Sequence, residues 1–103
     1  MWHLIRIPGS AKALRLALIG EIDLNSVDGF RNRLFELAEN APPVVAIDAS
    51  RLNYLYSDGL AVLVELAGAL RQRDGQLLIS RPGLWLQQLL RQSGLDRVMS
   101  VVN

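Results

Sequence analysis

Apolar positions along the chain follow two different spacings, and the changes between them predict its elements. Leu4-Ile5-Arg6-Ile7 is a short apolar run stopped by Pro8-Gly9. Ala13-Leu14-Arg15-Leu16-Ala17-Leu18-Ile19 is a second, stopped by Gly20. Both read as strands, and the short Pro-Gly-Ser-Ala link predicts a hairpin. From residue 27 to residue 38 the period becomes helical. Val27, Phe30, Leu34, Leu37 and Ala38 share one stripe, while Asp28, Arg31, Asn32, Arg33, Glu36 and Glu39 fall elsewhere. Asn25 or Ser26 is placed to cap this helix, Asp28 suits its positive end, and Asn40-Ala41-Pro42-Pro43 ends it. Val44-Val45-Ala46-Ile47, ending at Asp48, is a continuous apolar run that suits a central strand covered on both faces. Residues 49–56 read as a loop leading to Ser57-Asp58-Gly59. A second helix is expected over about 59–72, with Arg71 and Arg73 near its end and Gly75 beyond. Residues 76–80 form a fourth strand, closed by Arg81-Pro82-Gly83. A third helix spans 84–92 and stops near Gly94, and 98–102 is a last short strand.

The order is therefore β-β-α-β-α-β-α-β, an α/β fold with a mixed, largely parallel sheet and helices packed on it. The opening hairpin supplies the antiparallel pair. At 103 residues, without linker, repeat or low-complexity segment, one domain over 1–103 is expected. Such a length buries one adequate core.

Composition narrows the function more than the fold. Half of the residues are hydrophobic and a fifth charged, which is a globular balance. Eleven basic and ten acidic residues leave a formal charge of +1, and the arginines are scattered among acidic neighbours. Nucleic-acid binding needs a concentrated basic face, so no nucleic-acid role is expected. With no Cys, disulfides, thiolate catalysis and Cys-ligated metals are excluded. The N-terminal apolar run is too short for a signal peptide, and the stretch over 59–70 is too short to span a bilayer and carries Glu65. A cytoplasmic protein without membrane insertion is expected.

The second helix departs from simple amphipathicity. Leu60, Leu63, Val64, Ala67 and Leu70 form one stripe, yet Ala61, Val62, Leu66 and Ala69 make the opposite side apolar too. Either neighbouring elements cover that side, or it is a docking face. The expectation is docking, with Val62, Leu66 and Ala69 in the interface. At the helix start, Ser57 reads as the N-cap and Asp58 as a first-turn anion favoured by the dipole, while Gly59 permits close backbone approach.

Taken in order, these segments resemble the STAS family, the sulphate transporter and anti-sigma factor antagonist domains. The resemblance rests on Gly20-Glu21-Ile22-Asp23, Val45-Ala46-Ile47-Asp48-Ala49-Ser50, Ser57-Asp58-Gly59-Leu60-Ala61-Val62-Leu63, Arg81-Pro82-Gly83 and the segment from Leu89 to Val98. It covers nearly the whole chain. It implies a regulatory binding module, not an enzyme, with no cofactor. The stand-alone members bind an anti-sigma factor, often a GHKL-type serine kinase. That kinase phosphorylates a Ser or Thr at the start of the second helix and so breaks the complex.

This chain reads Tyr56-Ser57-Asp58-Gly59-Leu60, with Tyr56 in place of the family's usual Asp and Asp58 where the phosphoacceptor hydroxyl stands. A carboxylate cannot accept phosphate as a serine ester, so the standard switch is absent at residue 58. Asp58 is then an incomplete phosphate mimic, a fixed charge to which the partner is tuned, or a helix cap beside Ser57 as an off-register phosphoacceptor. The second is preferred. Expected partner-binding residues are Asp23, Tyr56, Ser57, Asp58, Gly59, Val62 and Leu66. An alternative follows from Ser57. STAS subunits of lipid-transporting ABC complexes carry their key hydroxyl at this earlier position and dock on the ATPase. A monomer or weak dimer is expected.

Other residues carry less. Asp48 at a strand end could be read as a receiver phosphoacceptor, but the partnering late Lys is missing, because Lys12 is the only Lys. Asp48 is instead expected to accept hydrogen bonds from loop amides. Glu21, Asp23 and Asp58 could gather as an acidic cluster for metal or acid–base work, yet neither a His nor a Cys lies near them in sequence, and nothing supplies a nucleophile paired with a base. His3 reads as a surface residue. Trp85 is a second potential contact, and Tyr54 and Tyr56 flank the key turn.

Overall fold

The computed structural model describes residues 1–102. Its elements are β1 (Trp2–Ile7), β2 (Ala13–Ile22), α1 (Val27–Ala38), β3 (Val44–Leu55), α2 (Ser57–Arg71), β4 (Gln76–Ser80), α3 (Leu84–Gln92), a 3-10 turn (Leu95–Arg97) and β5 (Ser100–Val102). The five strands lie in sequence order across one sheet. β1 runs antiparallel to β2, and β2, β3, β4 and β5 are mutually parallel. The fold is the expected mixed α/β sheet.

Each parallel crossover advances one strand in the same direction. Right-handed connections therefore place α1, α2 and α3 on one face of the sheet. Burial follows this rule. Leu14, Leu16, Leu18, Val45, Ile47, Leu77 and Ile79 alternate into the core, joined by Phe30 and Leu34 of α1, Leu63 and Leu70 of α2, and Leu86 and Leu90 of α3. The other face carries no helix. There Ala17, Ala46 and Leu78 are only half-buried. The apolar run 44–47 is thus covered on one side, not two. Its short Ala46 needs little cover on the bare side.

β3 is longer than its apolar run. It continues through residues 49–55, a segment whose sequence reads as a loop, and pairs with β2 as far as Ile22 opposite Leu55. The pairing slips between Ala17 and Ile19 and again between Gly20 and Glu21. These bulges interrupt the alternation, so the segment lacks the period-2 signature of a strand.

α2 buries Gly59, Leu60, Val62, Leu63, Leu66, Ala67 and Leu70. That arc is wider than a sheet-facing stripe because α1 packs along one flank. Phe35 and Ala38 of α1 line the same groove as Leu66, Ala69 and Leu70. Arg31 pairs with Glu65 across the top of that junction and lies 4.8 Å over the Phe35 ring. Among the described residues, no helix is long and apolar enough to cross a membrane.

Candidate functional site

The parallel strands β2, β3 and β4 all end at one edge of the sheet, where open α/β folds place their ligands. Three connections leave from that edge: residues 23–26, residue 56 into α2, and residues 81–83. The backbone N–H of Tyr56 donates to Ile22 O at 2.7 Å, fixing the start of α2 to the end of β2.

Tyr56, not Ser57, is the N-cap of α2. Its backbone is extended (φ −62°, ψ 149°), and its carbonyl accepts from Gly59 N at 2.8 Å and Leu60 N at 3.4 Å. Ser57 and Asp58 therefore occupy the first two helical positions, and both are exposed. The expected capping by the Ser57 hydroxyl does not occur, because an N-cap must precede the first helical residue. Asp58 sits where the unpaired first-turn N–H groups favour an anion. Gly59 has a steric role. A Cβ there would lie 2.6 Å from Leu55 Cδ1 and 3.4 Å from Ile22 Cγ2, so the helix start rests directly on the ends of β2 and β3.

Asp23 is exposed and forms a local turn. Its Oδ1 accepts from Ser26 Oγ at 2.7 Å, and Ser26 N donates to Asp23 O at 3.0 Å. The Ser26 hydroxyl is the main cause holding this carboxyl below its ordinary pKa. Ser26 is the N-cap of α1 by position, but its side chain serves Asp23 and does not cap the helix.

Val62 and Leu66 require a correction. Both were expected to face a partner, yet they are 4 % and 2 % exposed and belong to the core. The flank that α1 covers could not be deduced from α2 alone. Ala69 on the same flank is exposed, as are Ala61, Glu65 and Gly68. The outward side of α2 is therefore Ser57, Asp58, Ala61, Glu65, Gly68 and Ala69.

Exposed apolar side chains lie at the same carboxyl edge: Leu24 in the connection after β2, at 63 %, Tyr54 near the end of β3, at 48 %, and Leu84 and Trp85 in the first turn of α3, at 68 % and 37 %. Tyr56 is half-buried. Sequence reasoning did not reach Leu24 and Leu84. The available signal was an apolar residue beyond the carboxyl end of a parallel strand, two residues after β2 for Leu24 and at the first position of α3 for Leu84. Trp85 leans over the backbone of Gly83, since a Cβ at Gly83 would lie 3.1 Å from its indole.

Asp48 lies inside β3, opposite Ser80 of β4, and points to the bare face of the sheet. It accepts from Ser50 N at 2.9 Å, the expected loop-amide role now made within a strand, and is ion-paired with Arg81. Glu21, Asp23 and Asp58 share the carboxyl edge. Among the described residues, however, no group of three or more His, Cys, Asp or Glu is close enough to hold a metal ion. A depression of about 480 Å³ lined by Gly9, Ser10, Leu37 and Pro42 lies at the opposite end of the sheet.

The arrangement presents an exposed carboxylate, Asp58, in the first turn of α2 at the carboxyl edge of the sheet. Comparison with known proteins gives the fold the same frame. No curated protein sequence matches the chain. An anti-sigma factor antagonist from Mycobacterium paratuberculosis superposes with TM-score 0.86 at 20% identity, over 99% of this chain and 86% of that one. The anti-sigma factor antagonist SpoIIAA in its unphosphorylated form gives 0.80 at 17%, over 98% and 89%. The STAS domain of a SulP transporter from Vibrio cholerae gives 0.68 at 18%, over 94% and 77%. At these identities the likeness shows the fold. The family model described as "Mlab, STAS domain" matches residues 5–102, and with that match the chain belongs to the STAS domain family.

Proposed function

We propose that the chain is a regulatory protein-docking module of the anti-sigma-factor-antagonist type. Its partner seats on the carboxyl edge of the sheet and along the outward side of α2. One observation carries this reading: Leu24, Tyr54, Leu84 and Trp85 are exposed at the same carboxyl edge of the sheet as the exposed helix start that presents Asp58. Exposed aromatic and large aliphatic groups together with polar ones are the composition of a protein contact patch. The partner class is an anti-sigma factor of the GHKL serine-kinase type, acting in the cytoplasm. Because Asp58 cannot be esterified, the module docks constitutively through residue 58, with a partner tuned to its charge. No chemical step is assigned to the chain itself.

A second reading, an accessory subunit docking on the ATPase of an ABC-type lipid transporter, draws on Ser57. That residue is exposed at the first helical position, and its hydroxyl is not used as a cap.

Affinity capture with the tagged chain and its Asp58→Ala variant, with partners identified by mass spectrometry, tests both. A GHKL-type kinase recovered by the wild type and lost with Asp58→Ala is the expected result. Recovery of an ABC ATPase in its place overturns the first reading in favour of the second. Equal capture by both forms removes Asp58 from the interface.

A further inference from the structure

The sheet treats its two edges differently. β5 is only three residues long (Ser100–Val102), which limits what can pair with it. β1 is six residues long, and its register with β2 runs unbroken from Trp2 opposite Gly20 to Ile7 opposite Arg15. It contains no proline and no bulge, and Arg6 is its one formally charged residue. Short edges, prolines, bulges and multiple charges are the usual means of keeping an edge unpaired. β1 has only the single arginine.

The alternation of the ladder identifies which groups face outward. Glu21 N donates to Met1 O at 3.1 Å, so Met1 and Glu21 form a hydrogen-bonded pair. In an antiparallel ladder such pairs alternate. His3, Ile5 and Ile7 therefore direct their backbone groups to β2, and Trp2, Leu4 and Arg6 direct theirs away from it. Three N–H and three C=O groups line the free edge.

We infer that β1 is a homodimer edge, pairing antiparallel with β1 of a second copy about a two-fold axis at Leu4. This register satisfies every outward group at once. Trp2 exchanges both bonds with Arg6 of the second copy, Leu4 with Leu4, and Arg6 with Trp2. The side chains agree with it. On the helix-covered face, the Arg6 guanidinium of one copy comes beside the Trp2 indole of the other, a favourable cation–π placement. Trp2 is already held edge-on to Phe30 at 6.2 Å, so its ring is positioned in advance. On the bare face, His3 meets Ile5, which is 44 % exposed. No like charges stand directly opposite one another. This self-complementarity favours a second copy over an unrelated strand, because an isologous contact needs one patch that matches itself. The result is a continuous ten-stranded sheet whose outward α2 surfaces stay free.

Sedimentation equilibrium of the full chain, from low to high micromolar concentration, tests the inference. The weight-average mass is expected to rise towards that of two chains. Arg6→Pro is expected to remain at one-chain mass with an unchanged circular dichroism spectrum, because proline removes an outward N–H and none of the bonds to β2. A wild type that stays at one-chain mass throughout overturns the inference, as does an Arg6→Pro variant that dimerises equally well. Amide exchange on the wild type gives an independent reading if that variant folds poorly. Leu4 and Arg6 amides should gain protection with concentration, while His3 and Ile5 stay protected at every concentration. Protection at Leu4 and Arg6 that does not change with concentration overturns it.

Discussion

Arg81 reaches the carboxylate of Asp48 from a left-handed backbone conformation, φ 50°. The conformation is fixed by its N–H, which donates to Val102 O at 2.7 Å. Backbone strain and ion pair thus meet in one residue, and two substitutions separate them. Arg81→Ala loses the pair and keeps the strain. The Arg81 side chain is 64 % exposed, so the pair contributes at most about 1 kcal/mol, and the variant should lose roughly that. Arg81→Gly loses the pair but relieves the strain, and should be about 1 kcal/mol more stable than Arg81→Ala. Urea midpoints measure the order. If Arg81→Gly is no more stable than Arg81→Ala, the conformation is not strained.

The same pair makes stability depend on acid. Burial pushes the Asp48 carboxyl up. The Ser50 N–H and the Arg81 guanidinium outweigh it and hold the group below its ordinary value. A folded-state pKa below the unfolded one stabilises the fold above the unfolded value of about 3.9. That contribution disappears as pH falls through the folded pKa. The stability difference between wild type and Asp48→Asn should therefore be constant near neutrality and shrink from about pH 4 downward. Urea titrations across this range give the comparison, and a gap that widens on acidification would contradict the sign.

Two adjacent positions on α2 report which side is core. Val62→Glu places a carboxylate at a site 4 % exposed. It should cost about 3 kcal/mol or more, enough to abolish a cooperative transition in a small domain. Ala61→Glu, on the exposed side, should change stability by no more than about 0.5 kcal/mol. It should also weaken partner capture at least tenfold. Thermal melts and quantitative capture give the two readouts. An Ala61→Glu chain that binds normally would take the outward side of α2 out of the interface.

The order of strands and helices was legible in the sequence because most elements carry their own period. α1, β4 and α3 fall where their apolar spacing places them. Information was lost wherever a second element decides the outcome. The 49–55 half of β3 is hidden by its bulges against β2. The burial of Val62 and Leu66 depends on α1, which the pattern of α2 does not contain. At the helix start, the first-turn place of Asp58 and the close approach at Gly59 were readable from residue types, but the one-residue shift of the cap to Tyr56 was not. That shift arises because Tyr56 is held by its bond to Ile22 O, a contact 34 residues away in sequence.

Glycines on the two sides of α2 should respond oppositely to a methyl group. Gly68 is exposed in the helix interior, and a methyl group added there would meet nothing within 4 Å. Gly68→Ala should stabilise by about 0.5–1 kcal/mol through helix propensity and a less flexible unfolded chain. Gly59→Ala gains the same term but drives its methyl into Leu55, itself 4 % exposed. Overpacking of this kind costs about 1–3 kcal/mol, so the net effect should be destabilising. Differential scanning calorimetry orders the three proteins. A Gly59→Ala chain more stable than wild type would mean that Leu55 moves aside freely and that the close approach does not anchor the helix start.

Residue 58 decides whether this helix start is a switch. A serine kinase transfers the γ-phosphoryl group of ATP to a hydroxyl oxygen, which loses its proton, and Asp58 has no such oxygen to offer. Incubation of the wild type with a cognate kinase and ATP should therefore leave residue 58 unmodified. Phosphate found by intact mass and mapped to Ser57 would make the neighbouring hydroxyl the acceptor. Asp58→Ser restores the hydroxyl at an exposed second helical position. The variant should gain one phosphate, provided that the kinase still docks without the carboxylate. Phosphorylation would then add about −1.5 to −2 charge where the native chain already carries one negative charge. If the partner is tuned to a single carboxylate, unmodified Asp58→Ser should bind less tightly than wild type, and the phosphorylated form should not recover the loss in full. Binding of unmodified Asp58→Ser at wild-type strength would show that the partner does not read the charge, leaving Asp58 only its place near the positive end of α2.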